Sequence, residues 1–156
     1  MFPSHDRHSK SYCASPNIDL PCVDKFNLPK DYTVVQLQSG VEISRTPWKQ
    51  LKQKDIDSVN FTLPIVLVGT DSKRIRFKNN INVIDIRNET TLYECFSIIK
   101  GAKIFYGVQG VMSFFALSQK IKSNIWINNR SDRHAVKHRI DKIKEWKKYV
   151  TYYGNY

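Results

Sequence analysis

Acidic side chains are scarce in this chain. Fourteen Asp and Glu stand against 25 Lys and Arg in 156 residues, a formal net charge of +11. An anionic partner is therefore expected: nucleotide phosphates, a phosphorylated glycan, nucleic acid or an anionic membrane surface. Long apolar runs are missing as well. The longest, Phe61 to Gly69, contains Pro64 and is too short to cross a bilayer. Met1 to Lys10 has neither the basic start nor the apolar core of a secretory signal. The expectation is a cytoplasmic protein whose contact with a membrane, if any, is peripheral. Cysteine is limited to Cys13, Cys22 and Cys95, an odd number that argues against a disulfide framework. His5, His8, Cys13 and Cys22 match no zinc-ligand spacing, so no metal is expected.

What remains is enough for one folded domain. Hydrophobic residues make up 41% and aromatics 12%, which supplies the apolar surface that offsets the entropy of ordering the chain. Four of the six prolines fall in residues 1 to 30. This part reads as an extended leader that packs through Tyr12, Leu20, Val23 and Phe26 or covers a sheet edge. The domain proper is expected over residues 31 to 156.

Asp31 to Gln38 is rich in β-branched and aromatic residues and predicts a first strand, ending at Ser39 and Gly40. Thr46 and Pro47 then make a helix start, with Trp48, Leu51, Ile56 and Val59 on its apolar face. Leu63 to Gly69 is a continuous apolar strand of the kind buried on both faces of a parallel sheet. The basic run Lys73, Arg74, Arg76 and Lys78 follows its exit loop, and Asn82 to Ile86 is the third strand. Thr91 and Glu94 form a capping box for a helix that Gly101 stops. From Asn128 to Tyr156, Val136, Ile140, Ile143, Trp146 or Lys147, and Val150 predict one long amphipathic helix with a basic outer face.

Between these lies the stretch on which the reading turns, Ala102 to Ile127. It predicts a strand, a turn bracketed by Gly107 and Gly110, an apolar helix and a further strand, which is a βαβ unit. The start of such a helix offers free N–H groups and a positive dipole end, and favours phosphate.

The series is β-α-β-(basic loop)-β-α-β-α-β-α. It predicts an α/β fold: a single Rossmann-like domain, its parallel sheet covered by helices on both faces. Ligands of such sheets bind outside the carboxyl ends of the strands. Those ends carry Gln38 to Gly40, Gly69 to Asp71, Arg87 with Asn88, and Gly107 to Gly110, which are expected to converge on one crevice.

Five segments in this order resemble the donor-binding half of GT-B glycosyltransferases, in particular the heptosyltransferase-like family. Tyr32 to Gly40 is similar to that family's strand-plus-glycine opening, and Thr46 to Trp48 to its following helix start. Ile65 to Thr70 resembles its second strand and glycine, and Asn82 to Leu92 its "N-x-x-D-L…T/S-L-x-E" segment. Phe105 to Ala116 stands where the family has the phosphate loop "F-x-G-x-D-S/T-G-x-x-H-x-A". Here Gln109 replaces the aspartate, Gly110 the Ser/Thr, Val111 the glycine and Phe114 the histidine.

The resemblance implies a domain that binds a nucleotide diphosphate sugar donor, with no metal strictly required and no other cofactor. Ser39, Gly40, Thr70, Gly107, Gln109 and Gly110 would lie near the phosphates, with Arg45, Lys73 or Arg74 neutralising charge. A hexose or heptose would pass to a glycan or lipid-linked acceptor. The acceptor site and general base would come from a second domain or partner, or the base from Asp71 or Glu42. Two alternatives stay open. The replacements at Gln109 and Phe114 fit a non-catalytic binding protein on the same half-fold, and the basic, Tyr-rich C-terminal part fits nucleic-acid binding.

Overall fold

The computed structural model describes residues 18–39, 49–71, 74–127, 133–134 and 136–154. Six strands form one sheet: β1 (Thr33–Gln36), β2 (Ile65–Val68), β3 (Val83–Asp85), β4 (Ile104–Val108), β5 (Lys122–Ile127) and β6 (Val150–Gly154). Every neighbouring pair is parallel, in the order β3-β2-β1-β4-β5-β6. This is the order of doubly wound, Rossmann-like sheets. β1 and β2 are buried along their whole length because helices and loops cover both sides, as their unbroken apolar runs require.

Alternate residues of each strand feed two cores. Val34, Val66, Val68 and Phe105 face helices α2 (Leu92–Gly101) and α3 (Val111–Ser118), whose Phe96 and Phe115 rings stack 4.2 Å apart. Val35, Leu37, Ile65 and Leu67 face the other way, against Leu51 and Ile56 of the segment leading into and forming α1 (Gln53–Asp57). A third cluster joins Leu117, Ile125 and Ile127 to Val136, Ile140 and Trp146. The Thr91–Glu94 capping box is present as expected, Glu94 N donating to Thr91 Oγ1 and Thr91 N to Glu94 Oε2.

Of the leader, Ile18, Leu20, Val23, Phe26 and Leu28 pack against the α2–α3 side of the core. Ser97 Oγ of α2 donates to Pro21 O at 2.6 Å, and Lys25 Nζ lies 2.6 Å from Glu94 Oε1. Of the two places expected for the leader, the helix surface is thus the one found for these residues; Tyr12 lies outside the described residues.

Two expectations are corrected. The long C-terminal helix is not formed. Its apolar stripe does bury, but on a π-helical turn (Val136–Ile140) and a 3₁₀ turn (Trp146–Lys148), after which Val150 to Gly154 extends as β6 along β5, from Ser123↔Val150 to Ile127↔Gly154. Val150, Thr151, Tyr152 and Tyr153 are β-branched or aromatic, and an open edge of β5 outweighs the helical spacing upstream of them. The second correction concerns the helix expected from Pro47. Lys49–Gln50 is extended and pairs antiparallel with Gln38–Ser39, Leu51 N donating to Leu37 O. The helix begins only at Gln53, where Asp55 Oδ2 accepts from Lys52 N. Thr46, Pro47 and Trp48 lie outside the described residues.

Candidate functional site

The strand order places its reversal between β1 and β4. Their pairing runs from Thr33↔Ile104 to Val35↔Tyr106. Beyond that, Gln36 stays with Val68 of β2 while Gly107 and Val108 stay with Ile125 and Trp126 of β5. The ladder ends there, and the exits, Gln36 to Ser39 and Val108 to Gly110, run on side by side, Gln36 beside Gly107 and Ser39 against Gly110. In doubly wound sheets ligands bind outside the strand ends at such a reversal.

α3 begins directly at these exits. Gly110 is its N-cap residue; Ser113 Oγ accepts from Gly110 N at 3.0 Å and donates to Gly110 O at 2.8 Å. The N–H groups of the first helical turn have no carbonyl within the helix to bond, and the positive end of the helix dipole lies there. Ser39 Oγ fills the space that a Cβ on Gly110 would need. Gln36, 5% exposed, donates from Nε2 to Gln38 O at 2.9 Å, while its Oε1 has no hydrogen-bond partner among the described residues. A buried acceptor left open costs free energy until a donor reaches it.

Of the residues singled out in the sequence, Ser39, Gln109 and Gly110 lie together at these exits. Gly107 lies next to them but inside β4, where a Cβ would come within 2.8 Å of the Phe105 ring and 3.3 Å of Gln36 Cβ; ring packing alone accounts for this glycine. Gln109 is buried at 2% exposure. Phe114, where the resembling family has histidine, stacks on Trp146 at 6.1 Å. Thr70 and Arg74 belong to the exit of β2 instead, one strand away. Gly40, Arg45, Glu42 and Lys73 lie outside the described residues.

The exits of β2 and β3 are tied together by an ionic cluster that sequence reasoning missed. Arg87 Nε donates to Asp85 Oδ1 at 2.8 Å and NH2 to Asp85 Oδ2 at 2.5 Å, while NH1 donates to Asp71 Oδ1 at 2.9 Å. Asn88, at φ 62, donates from N to Gly69 O and from Nδ2 to Asp71 O. The hydrogen bonds from the Arg87 side chain hold the Asp85 carboxyl below its ordinary range, and Asp85 in turn raises the Arg87 guanidinium. Asp71, an expected candidate base, is 8% exposed and bound to this arginine. The signal for Arg87 was the spacing of Val83, Asp85 and Arg87, alternate positions that share one face of an edge strand.

That face forms one wall of a cleft of about 470 Å³. The segment Arg74 to Phe77 lines the cleft too, with Leu67, Ile81 and Val83. Along this segment exposure alternates, Arg74, Arg76 and Lys78 outward and Ile75 and Phe77 inward.

No family model matches the chain, and no curated protein or solved structure matches it. The fold and the reversal of strand order between β1 and β4 define it as a Rossmann-like α/β protein.

Proposed function

We propose that the chain binds a nucleotide diphosphate sugar at the exits of β1 and β4 and serves as the donor half of a GT-B-type glycosyltransferase. The observation that carries this reading is the placement of the α3 N-terminus, with Gly110 and Ser39, on the reversal of the sheet. N–H groups of a helix start placed at the reversal of the sheet suit a diphosphate.

In the proposed reaction an acceptor oxygen forms a bond to the anomeric carbon as the bond to the diphosphate oxygen breaks. The departing charge develops on the diphosphate, where the helix start stabilises it without a metal. The acceptor's proton goes to a base on a second domain or partner.

Calorimetry with uridine, adenosine and guanosine diphosphate sugars tests the binding step. Saturable heat with one of them, reduced by substitution at Gly110, is the expected result; indifference to all three rules the reading out.

A second reading is favoured by Gln109 and Phe114. One is buried and the other stacks on Trp146, where the resembling family has an acid and a histidine. On this reading the half-fold binds its ligand without chemistry. Nucleotide-sugar binding that never leads to transfer or hydrolysis, with any acceptor domain added, selects it over the first. The C-terminal basic residues, expected on one helix face, fall on a π-helical turn, a 3₁₀ turn and residues outside both, which weakens the nucleic-acid reading.

A further inference from the structure

The cleft between the Arg74–Phe77 segment and β3 is not needed by the donor reading. It lies beside β2 and β3, about 10 Å across the sheet from the reversal between β1 and β4, with β1 between them.

Both walls are held in place. Gln53 of α1 clasps the main chain of the basic segment, accepting from Arg76 N at 3.0 Å and donating to Arg76 O at 2.7 Å, and Lys78 Nζ donates to Asp57 O at 3.0 Å. On the other wall Asp85 and Asp71 hold Arg87 in a fork. The main chain of one wall and the Arg87 fork of the other are thus ordered before a ligand arrives.

The charges are unequal in their commitments. Arg87 is matched by two carboxylates, whereas neither Arg74 nor Arg76 has a carboxylate within ion-pair distance among the described residues. Two uncommitted guanidinium groups therefore stand on one wall, suited to an oxyanion. The other wall offers the half-exposed Asp85 carboxylate, an acceptor for hydroxyl hydrogens. Ile75 and Phe77 turn inward against the core and, half-buried, leave part of their surface to the cleft, whose volume suits a small ligand.

Cations for an oxyanion, a carboxylate for hydroxyls and some apolar surface together suit an acidic sugar. We propose that this cleft is a second site, separate from the donor site, that binds a sugar ring carrying a phosphate or a carboxylate. The two sources share one chemistry, and the choice between them is left to the probes.

The test is a titration of the isotopically labelled full chain, followed by amide NMR shifts. The probes are glucose 6-phosphate and glucuronate, with glucose, inorganic phosphate and uridine diphosphate glucose as comparisons. The expected result is saturable shifts at Ile75, Phe77 and Asp85 with one or both acidic sugars. The Arg74→Ala/Arg76→Ala chain, altered only at exposed positions, should bind them about tenfold or more weakly with its unfolding temperature unchanged. Ser39→Ala should change that binding by less than about twofold.

Absence of shifts at the cleft with both acidic sugars overturns the proposal. So does inorganic phosphate binding as tightly as glucose 6-phosphate, which would show charge attraction only. If the double substitution and Ser39→Ala both weaken uridine diphosphate glucose and acidic-sugar binding alike, the cleft is part of the donor site and its separateness is refuted. Acidic-sugar binding at the cleft with no nucleotide sugar bound anywhere supports this proposal while removing the donor reading.

Discussion

The hydroxyl of Ser39, leaving β1, sits against the Cα of Gly110, leaving β4, in the space a side chain at 110 would occupy. Gly110 has φ 173, an extended backbone that any residue adopts, so the glycine is required by this contact and not by its conformation. In Gly110→Ala the new Cβ would collide with Ser39 Oγ and lie 3.2 Å from Ser39 Cβ. The expected loss of stability is about 1–3 kcal/mol. Ser39→Gly in the same chain should recover most of it. Thermal unfolding of the two single variants and the double variant measures the coupling; strictly additive losses would contradict the contact.

Tyr32 secures the far end of α2. Its Oη donates to Ile98 O at 2.7 Å, a carbonyl of the last turn whose helical partner Ala102 bonds Ile99 instead. Tyr32→Phe should cost about 1 kcal/mol in denaturant unfolding. Burial pushes the Tyr32 hydroxyl up to about 12. Because the folded value lies above the unfolded one, its contribution is whole below about pH 10 and is lost as pH rises toward 12. The phenylalanine variant should lack this alkaline component, so its deficit should shrink over that window.

Glu94 joins the leader to the helix it caps. Hydrogen bonding from Lys25, then from Thr91, lowers its carboxyl to about 2. A lowered folded value means stabilisation that is present above the unfolded value near 4.5 and is lost as pH falls toward 2. Hydrogen exchange of the amides from Leu20 to Leu28 should accelerate, relative to α2 and α3, across that acid window. Lys25→Ala should produce the same local loosening at neutral pH, with little additional effect at pH 2.

At the opposite edge, Tyr153 of β6 stacks on Trp126 of β5 with ring centroids 4.8 Å apart, and Trp126 is 2% exposed. Tyr153→Ala should destabilise by about 1–3 kcal/mol and shift tryptophan emission to longer wavelength, while Tyr153→Phe should do neither. An unchanged spectrum in Tyr153→Ala would argue against a sixth strand.

Much of this architecture is legible in the residues because local and tertiary demands agree. Ile65 to Val68 has to be a strand buried on both faces, and Thr91 with Glu94 has to start a helix whatever surrounds them. The C-terminal part is different. Val136, Ile140, Ile143 and Trp146 have helical spacing, yet the open edge of β5 recruits Val150 to Gly154, and no local pattern announces that a neighbour is waiting. The same holds for the sites. Ser39 and Gly110 are readable as strand exits, but their contact depends on which strands are adjacent. Arg87 is readable as a strand exit, but its cluster is not, because Asp71 and Asp85 come together only through the pairing of β2 with β3. Lys49 and Gln50 were misplaced because their ribbon with Gln38 and Ser39 is a tertiary choice made against a plausible helix start.

The donor reading requires a nucleotide diphosphate to bind at the exits of β1 and β4. Amide NMR shifts of the labelled chain, titrated with uridine, adenosine and guanosine diphosphate sugars, test it directly. The account predicts saturable shifts with one nucleotide, largest at Ser39, Gly110, Val111 and Met112. No shifts with any of the three, or shifts confined to residues away from those exits, would contradict it.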